Sequence, residues 1–326
     1  MRIIALEEHV ATPLYTEHRP NTRNRTNPAM VSRAEALGHD VYNELMDIGA
    51  SRLKHMDAVG VDLQVLSLTM PGAQAFPPDI AIPLAKDTND RIAAAMKAHP
   101  TRFAGFATLP TSDPAAAAKE LERAVKQLGF CGTMINSHTQ GEYLDNKKYW
   151  PVLEAAAALD VPIYLHPREP HPAVMKAYFE GFEDLSTAAW GFAMEACTHF
   201  LRLVMAGVFD AYPKLQFILG HLGEGLPFWL DRFEDHTRFY MKNRGLKKTP
   251  REYLTQNLVV TCSGNFSTPA FLCTVMAMGM DNVLFSIDWP YESNKLGVDF
   301  LNNLPLAPSD KEKIAHGNAE RVLKLK

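Results

Sequence analysis

The sequence predicts a single α/β domain, residues 1–326, folded as a (β/α)8 barrel, and three observations carry that prediction. Short β-branched apolar runs recur eight times along the chain. Amphipathic helical stretches separate them, an alternation that implies a parallel sheet covered by helices. Carboxylates and histidines stand where several runs give way to loops, and in a closed barrel functional groups gather at the C-terminal ends of the strands.

Taken in order, the first run, Arg2–Leu6, continues into Glu7, Glu8 and His9. Side chains alternate along a strand, so Glu7 and His9 share one face and Glu8 takes the other. Residues 11–40 hold prolines, asparagines and arginines without helical or strand period, which predicts an irregular loop or lid. The helical stretch Tyr42–Val59 precedes a strand at Leu63–Ser67, Asp79–His99 precedes Phe103–Thr108, and Pro114–Leu128 precedes Cys131–Ile135. Helix Lys147–Leu159 leads to strand Val161–His166, which ends on His166. Residues 167–199 open with clustered prolines and carry Tyr178, Phe179, Phe182, Trp190 and Phe192. Such an insertion either walls a planar substrate above the barrel mouth or serves as a packing plug or subunit contact. Strand Leu215–Leu219 runs into His221 and Glu224 and is followed by helix Gly225–Phe239. Strands Leu258–Cys262 and Val283–Ile287, the latter ending on Asp288, and a closing helix Ser309–Leu325 complete the repeat.

Composition narrows the function classes. Hydrophobic residues make up 47% and charged residues 21%, enough apolar content for a large core. The net charge of −4 is spread along the chain, apart from a basic stretch from Arg19 to Arg33, so the chain carries no footprint for nucleic acid or an anionic membrane. No stretch is long and apolar enough for a membrane span and no signal-peptide pattern opens the sequence, so a cytoplasmic location is expected. The four cysteines, Cys131, Cys197, Cys262 and Cys273, lack CxxC spacing and sit in apolar contexts, which predicts neither disulfides nor a structural zinc site.

The candidate metal ligands are Glu7 and His9 at the end of the first strand, His166, His221 and Asp288 at the ends of the fifth, sixth and eighth, with Glu224 three residues beyond His221. A single strand histidine reads as a hydrogen-bonded core residue, but four such groups at the same ends of four strands read as a metal centre. Imidazole nitrogen with carboxylate oxygen suits Zn²⁺, Mn²⁺ or Fe²⁺ and leaves positions open for substrate. Glu224, three residues after His221, either holds the imidazole in one tautomer and raises its basicity or caps the following helix. Arg232, two turns into that helix, either faces the site to bind a carboxylate or phenol oxygen or lies on the surface.

The motifs Leu6-Glu-Glu-His9, Tyr164-Leu-His-Pro-Arg-Glu169, Ile218-Leu-Gly-His-Leu-Gly-Glu-Gly-Leu-Pro-Phe-Trp229, Ser263-Gly-Asn-Phe266, Phe285-Ser-Ile-Asp-Trp-Pro290 and His316-Gly-Asn-Ala319 together resemble the amidohydrolase-2 family. The likeness runs over nearly the whole chain and is nearest to the aryl decarboxylase branch, the γ-resorcylate and 2,3-dihydroxybenzoate decarboxylases. It implies one divalent ion, Zn²⁺ or Mn²⁺, on Glu7, His9, His166 and Asp288. Asp288, His221 and Glu224 then take catalytic roles, and Arg232 and His9 touch the substrate. Many members open with His-x-His; Glu-x-His here favours decarboxylation of a small aromatic acid such as an ortho-hydroxybenzoate. The family likeness also implies a homodimer or homotetramer. The 11–40 segment departs from the decarboxylase pattern. A hydrolase of a lactone, ester or amide, or a hydratase of an unsaturated acid, would use the same ligands.

Overall fold

A computed structural model describes residues 1–18, 38 and 40–325. Eight parallel strands form one sheet in sequential order: β1 (Ile4–Val10), β2 (Leu63–Leu68), β3 (Phe103–Thr108), β4 (Gly132–Asn136), β5 (Ile163–His166), β6 (Phe217–Leu219), β7 (Leu258–Thr261) and β8 (Val283–Leu284). The chain after β8 returns to β1. Trp289 bridges Glu8, its carbonyl accepting the His9 N–H at 2.7 Å, and the Ser286 hydroxyl accepts the N–H groups of Leu6 and Glu7 at 3.1 and 2.6 Å. Two apolar layers follow from the strand period. Ile4, Leu6, Val65, Phe106, Met134, Tyr164, Ile218, Val259 and Leu284 pack together inside the barrel, and a second, larger cluster fills the space between sheet and helices.

β1 runs through Val10 rather than stopping at Leu6, because Glu7, Glu8 and His9 are fully buried despite their polarity. The stretch expected as one helix over Tyr42–Val59 is two, Val41–Met46 and Ala50–Asp57. Asp47 breaks it: its carboxylate accepts the Gly49 and Arg52 N–H groups at 2.9 and 2.8 Å. The closing helix is interrupted by a wider turn, Lys313–Gly317, between Pro308–Glu312 and Asn318–Leu323. There the Ile314 carbonyl accepts the Phe285 N–H at 3.0 Å, and Asn318 Nδ2 donates to the Val283 carbonyl at 2.8 Å, tying the C-terminal segment to β8.

Residues 167–199, expected as irregular cover, are largely helical. Pro172–Phe179 forms one helix and Gly191–Met205 another. Pro172 occupies a first-turn position, where a proline costs no hydrogen bond, so the proline cluster marks a helix start and not a loop. The aromatics divide: Phe179 and Phe192 are buried, whereas Tyr178, Phe182 and Trp190 point to solvent. In the 11–40 segment Pro13–His18 is helical, and most of the remainder lies outside the described residues. All four cysteines are free. No described helix is long and apolar enough to cross a membrane.

Candidate active site

Alternation alone would misplace the first two ligands. Ile4 and Leu6 face the barrel interior, so an unbroken strand would send Glu8 inward and Glu7 outward. The pairing with β2 slips instead: Ala5 lies opposite Gln64 and Glu8 opposite Leu66, three steps along β1 against two along β2. This β-bulge reverses the parity, placing Glu7 and His9 at the barrel mouth and turning Glu8 to the outside of the sheet. There Glu8 accepts from the Ile287 N–H at 3.1 Å and from Gln64 Nε2 at 3.0 Å. Gln64 in turn accepts from Arg52, whose guanidinium also donates to the His9 carbonyl at 2.6 Å. Burial pushes Glu8 up to about 8, against the pull of the Ile287 N–H and the Arg52 charge.

Glu7, His9, His166 and Asp288 each offer one ligand atom, and these four atoms lie within 4.8 Å of one another. His9 Nε2 is 3.1 Å from Asp288 Oδ1 and His166 Nε2 is 3.0 Å from Glu7 Oε1. These approaches are short without being hydrogen bonds, since Glu7 Oε1, His9 Nε2 and Asp288 Oδ1 are all buried and lack a hydrogen-bond partner. Buried polar atoms without partners are costly, and four converging lone-pair donors of mixed nitrogen and oxygen type fit a divalent cation. The tautomer of His166 agrees. Its Nδ1 lies 2.6 Å from the Pro167 carbonyl, so Nδ1 carries the proton and Nε2 presents a lone pair to the cluster.

His221 and Glu224 occupy a tight turn after β6 in which residues 221 to 225 all have positive φ, from 52° at His221 to 90° at Gly225. Non-glycine residues in that region are strained, and such strain persists only where surrounding contacts enforce it. Here the Leu222 N–H donates to the Thr261 carbonyl at 2.7 Å and the His221 N–H to Ser263 Oγ at 3.2 Å. Asp288 is likewise strained, with φ 81°. The turn brings His221 Nδ1 to 2.6 Å from Glu224 Oε1 and leaves Nε2 at 3.6 Å from Glu7 Oε1 and 3.7 Å from Asp288 Oδ2. Of the two roles open to Glu224, the geometry favours holding the imidazole. The helix Leu226–Asn243 begins after Gly225 and has no side-chain cap.

The electrostatics follow from this packing. Burial alone would raise Glu7, but His221, His166 and His9 hold its carboxyl well below the usual range. Burial would lower His221, but Glu224, Glu7 and Asp288 raise it well above an ordinary histidine. His9 is lowered, chiefly by burial, which keeps its ring neutral.

Arg232 stands apart from this cluster: it is exposed on the helix Leu226–Asn243, and no hydrogen bond or ion pair joins it to the quartet. Three residues the sequence reading left without a role do reach the site. Tyr164 and Ser263 hydroxyls both donate to Glu7 Oε2, and the Tyr291 ring lies 5.6 Å from His9. Strand period would have found Tyr164, two residues before His166 on the same face of β5.

A family model described as Amidohydrolase matches residues 39–325. Over 338 residues the chain is 39% identical to a gamma-resorcylate decarboxylase of Polaromonas sp., covering 99% of this chain and 98% of that one. Among solved structures, a dihydroxybenzoic acid decarboxylase from Polaromonas sp. with bound manganese and 2-nitroresorcinol superposes with a TM-score of 0.91 at 36% identity, covering 99% of this chain and 97% of the other. A 5-carboxyvanillate decarboxylase from Novosphingobium aromaticivorans, complexed with manganese and 4-hydroxy-3-methoxy-5-nitrobenzoic acid, gives 0.89 at 35% identity, covering 99% and 96%.

Proposed function

From a chain that belongs to the amidohydrolase family, we propose a metal-dependent, non-oxidative decarboxylase of an ortho-hydroxylated aromatic acid. The observation that carries this reading is the convergence of Glu7, His9, His166 and Asp288 beside the His221–Glu224 pair. Relatives at 35 to 39% identity that decarboxylate dihydroxybenzoates and 5-carboxyvanillate, two of them with manganese bound, support the same chemistry. A divalent ion held by the quartet, Mn²⁺ or Zn²⁺, supplies Lewis-acid polarisation of the substrate's carboxylate and neighbouring phenol oxygen.

The protein's own groups manage the proton. Decarboxylation of an aryl acid requires a proton at the ring carbon bearing the carboxylate; the C–C bond then breaks, its electrons restore aromaticity, and carbon dioxide departs. Asp288 is the group we assign to deliver that proton. His221, raised in basicity and fixed by Glu224, holds a proton 3.7 Å from Asp288 Oδ2 and can reload it.

The working unit is, in this reading, a homo-oligomer. Phe228, Trp229, Phe239 and Tyr240 are all more than half exposed on the helix Leu226–Asn243, as are Tyr178, Phe182 and Trp190 in the 167–199 insertion. So large an aromatic surface is what a second copy covers. Arg232 sits four residues after Phe228 and seven before Phe239, on the same helix face, so its expected substrate contact is with a neighbouring copy.

The test is carbon dioxide release from a panel of ortho-hydroxybenzoates before and after chelation and after Mn²⁺ is restored. The proposal expects release that is lost with the metal and returns with it. A chain loaded with about one ion that releases nothing from any member of the panel contradicts it.

A further inference from the structure

The two oxygens of Glu7 live in different surroundings. Oε1 is buried beside His166 Nε2 and lacks a hydrogen-bond partner, while Oε2 accepts two hydrogen bonds, from the Tyr164 and Ser263 hydroxyls. A third element closes around Oε2: a methyl group added to Gly220 would come within 2.7 Å of it, 3.0 Å of Ser263 Oγ and 3.1 Å of the Tyr164 hydroxyl. We infer that Tyr164, Ser263 and Gly220 form a cradle for Glu7 Oε2, which makes Glu7 present one oxygen, Oε1, to an ion and leaves a second coordination position for substrate.

Proton counting limits the directions the bonds in the cradle can take. A carboxylate only accepts, so Tyr164 and Ser263 each spend their single hydroxyl proton on Oε2. Their remaining contacts must then be as acceptors. Thr261 Oγ1, 2.8 Å from the Tyr164 hydroxyl and 2.9 Å from Ser263 Oγ, has one proton for one of them, and the His221 N–H donates to Ser263 Oγ at 3.2 Å. With both hydroxyl protons committed, Oε2 is held as the acceptor of two hydrogen bonds and turned away from Oε1's neighbours. Ser263 also ties the Glu7 carboxylate to the backbone of His221, so ligand and acid/base turn are positioned by one hydroxyl.

The consequence concerns coordination number. A carboxylate that binds through both oxygens occupies two positions around an ion; one whose second oxygen is held elsewhere occupies one. A substrate that binds through carboxylate and phenol oxygens needs two positions free. Gly220 is then the residue that makes room for the arrangement, and Tyr164 and Ser263 are positioning residues for Glu7, touching neither substrate nor reacting atoms.

This inference rests on the metal-dependent reading above, and its test keeps the two apart. Apo protein of the native sequence, Tyr164→Phe and Ser263→Ala is titrated with Mn²⁺ against a chelator of known affinity. Thermal unfolding is followed for each with and without Mn²⁺. The cradle predicts Mn²⁺ affinity weaker by about 10 to 100-fold in both variants, the cost expected when a ligand's outer partner is lost. It also predicts apo melting temperatures close to the native value and a smaller Mn²⁺-induced rise. Unchanged Mn²⁺ affinity in both variants, with a lower apo melting temperature, would show that the hydroxyls merely fill the barrel interior and would overturn the inference. Failure of the native protein itself to bind Mn²⁺ would overturn the metal reading, whatever the variants do.

Discussion

Asp288 stands in two relations at once, with Oδ1 at 3.1 Å from His9 Nε2 and Oδ2 at 3.7 Å from His221 Nε2. Asp288→Asn keeps the shape but cannot carry the proton, and His221→Asn removes the group that reloads it. Each metal-replete variant is expected to lose about 10² to 10⁴-fold in turnover, the usual worth of a positioned acid or base. A near-native rate in either would remove that residue from the mechanism. His199 offers a separate test, away from the quartet. It is fully buried, its Nε2 accepts the Leu144 N–H at 3.0 Å, and burial lowers it from the ordinary 6.5 to about 3. Between those values the unfolded chain binds a proton there that the folded one does not, so stability falls as pH drops through that window. The melting temperature should decline from pH 6.5 toward 4, and His199→Gln should flatten the decline; an equally steep fall in the variant would contradict this assignment. Glu7, His9, His166 and Asp288 were legible as candidates because each closes an apolar run, but so does His221, which the structure sets beside their cluster and not within it. Tyr164, on the strand face of His166, could have been found by period, but Ser263, beyond the end of β7, carries no mark that separates ligand support from an ordinary loop hydroxyl.

At the scale of elements, the β1 bulge decides whether there is a site at all. The sequence reading rightly put Glu7 and His9 on one face, but it could not see that the pairing slip with β2 turns that face inward. Bulges depend on the partner strand, which local periodicity does not report. On the other side of β1, Arg52 is 2% exposed and donates to the carbonyls of Asp47, Glu44 and His9 and to Gln64. Arg52→Ala would strand these buried acceptors. Unfolding by denaturant should show a loss of about 3 kcal/mol or more, as when buried acceptors lose their donor. A loss under about 1 kcal/mol would mean that the helix Ala50–Asp57 is held to β1 by apolar contacts alone. Other departures share one cause: Asp47 breaks a helix and Pro172 starts one, and both residue types serve loops and helix ends equally well.

For the whole molecule, eight repeats of strand and helix were enough to foresee the barrel, because the alternation leaves few other ways to bury both faces of a parallel sheet. The aromatic face of Leu226–Asn243 could not be placed inside or outside from sequence, since exposure depends on how the helix is rotated against its neighbours. Phe228→Asp together with Phe239→Asp should shift the protein toward monomer in light scattering. Turnover that falls in step with dissociation would support the proposed contact of Arg232 with a neighbouring copy; native protein that is already monomeric would contradict the proposed homo-oligomer.

The measurement that bears most directly on the central claim follows metal-replete protein with ortho-hydroxybenzoates in heavy water, reading carbon dioxide and the label on the product ring. Carbon dioxide with one deuterium at the vacated carbon is the predicted result. No carbon dioxide, with solvent oxygen entering a new carboxylate when lactones, esters or amides are supplied instead, would contradict decarboxylation and make the quartet a hydrolytic centre.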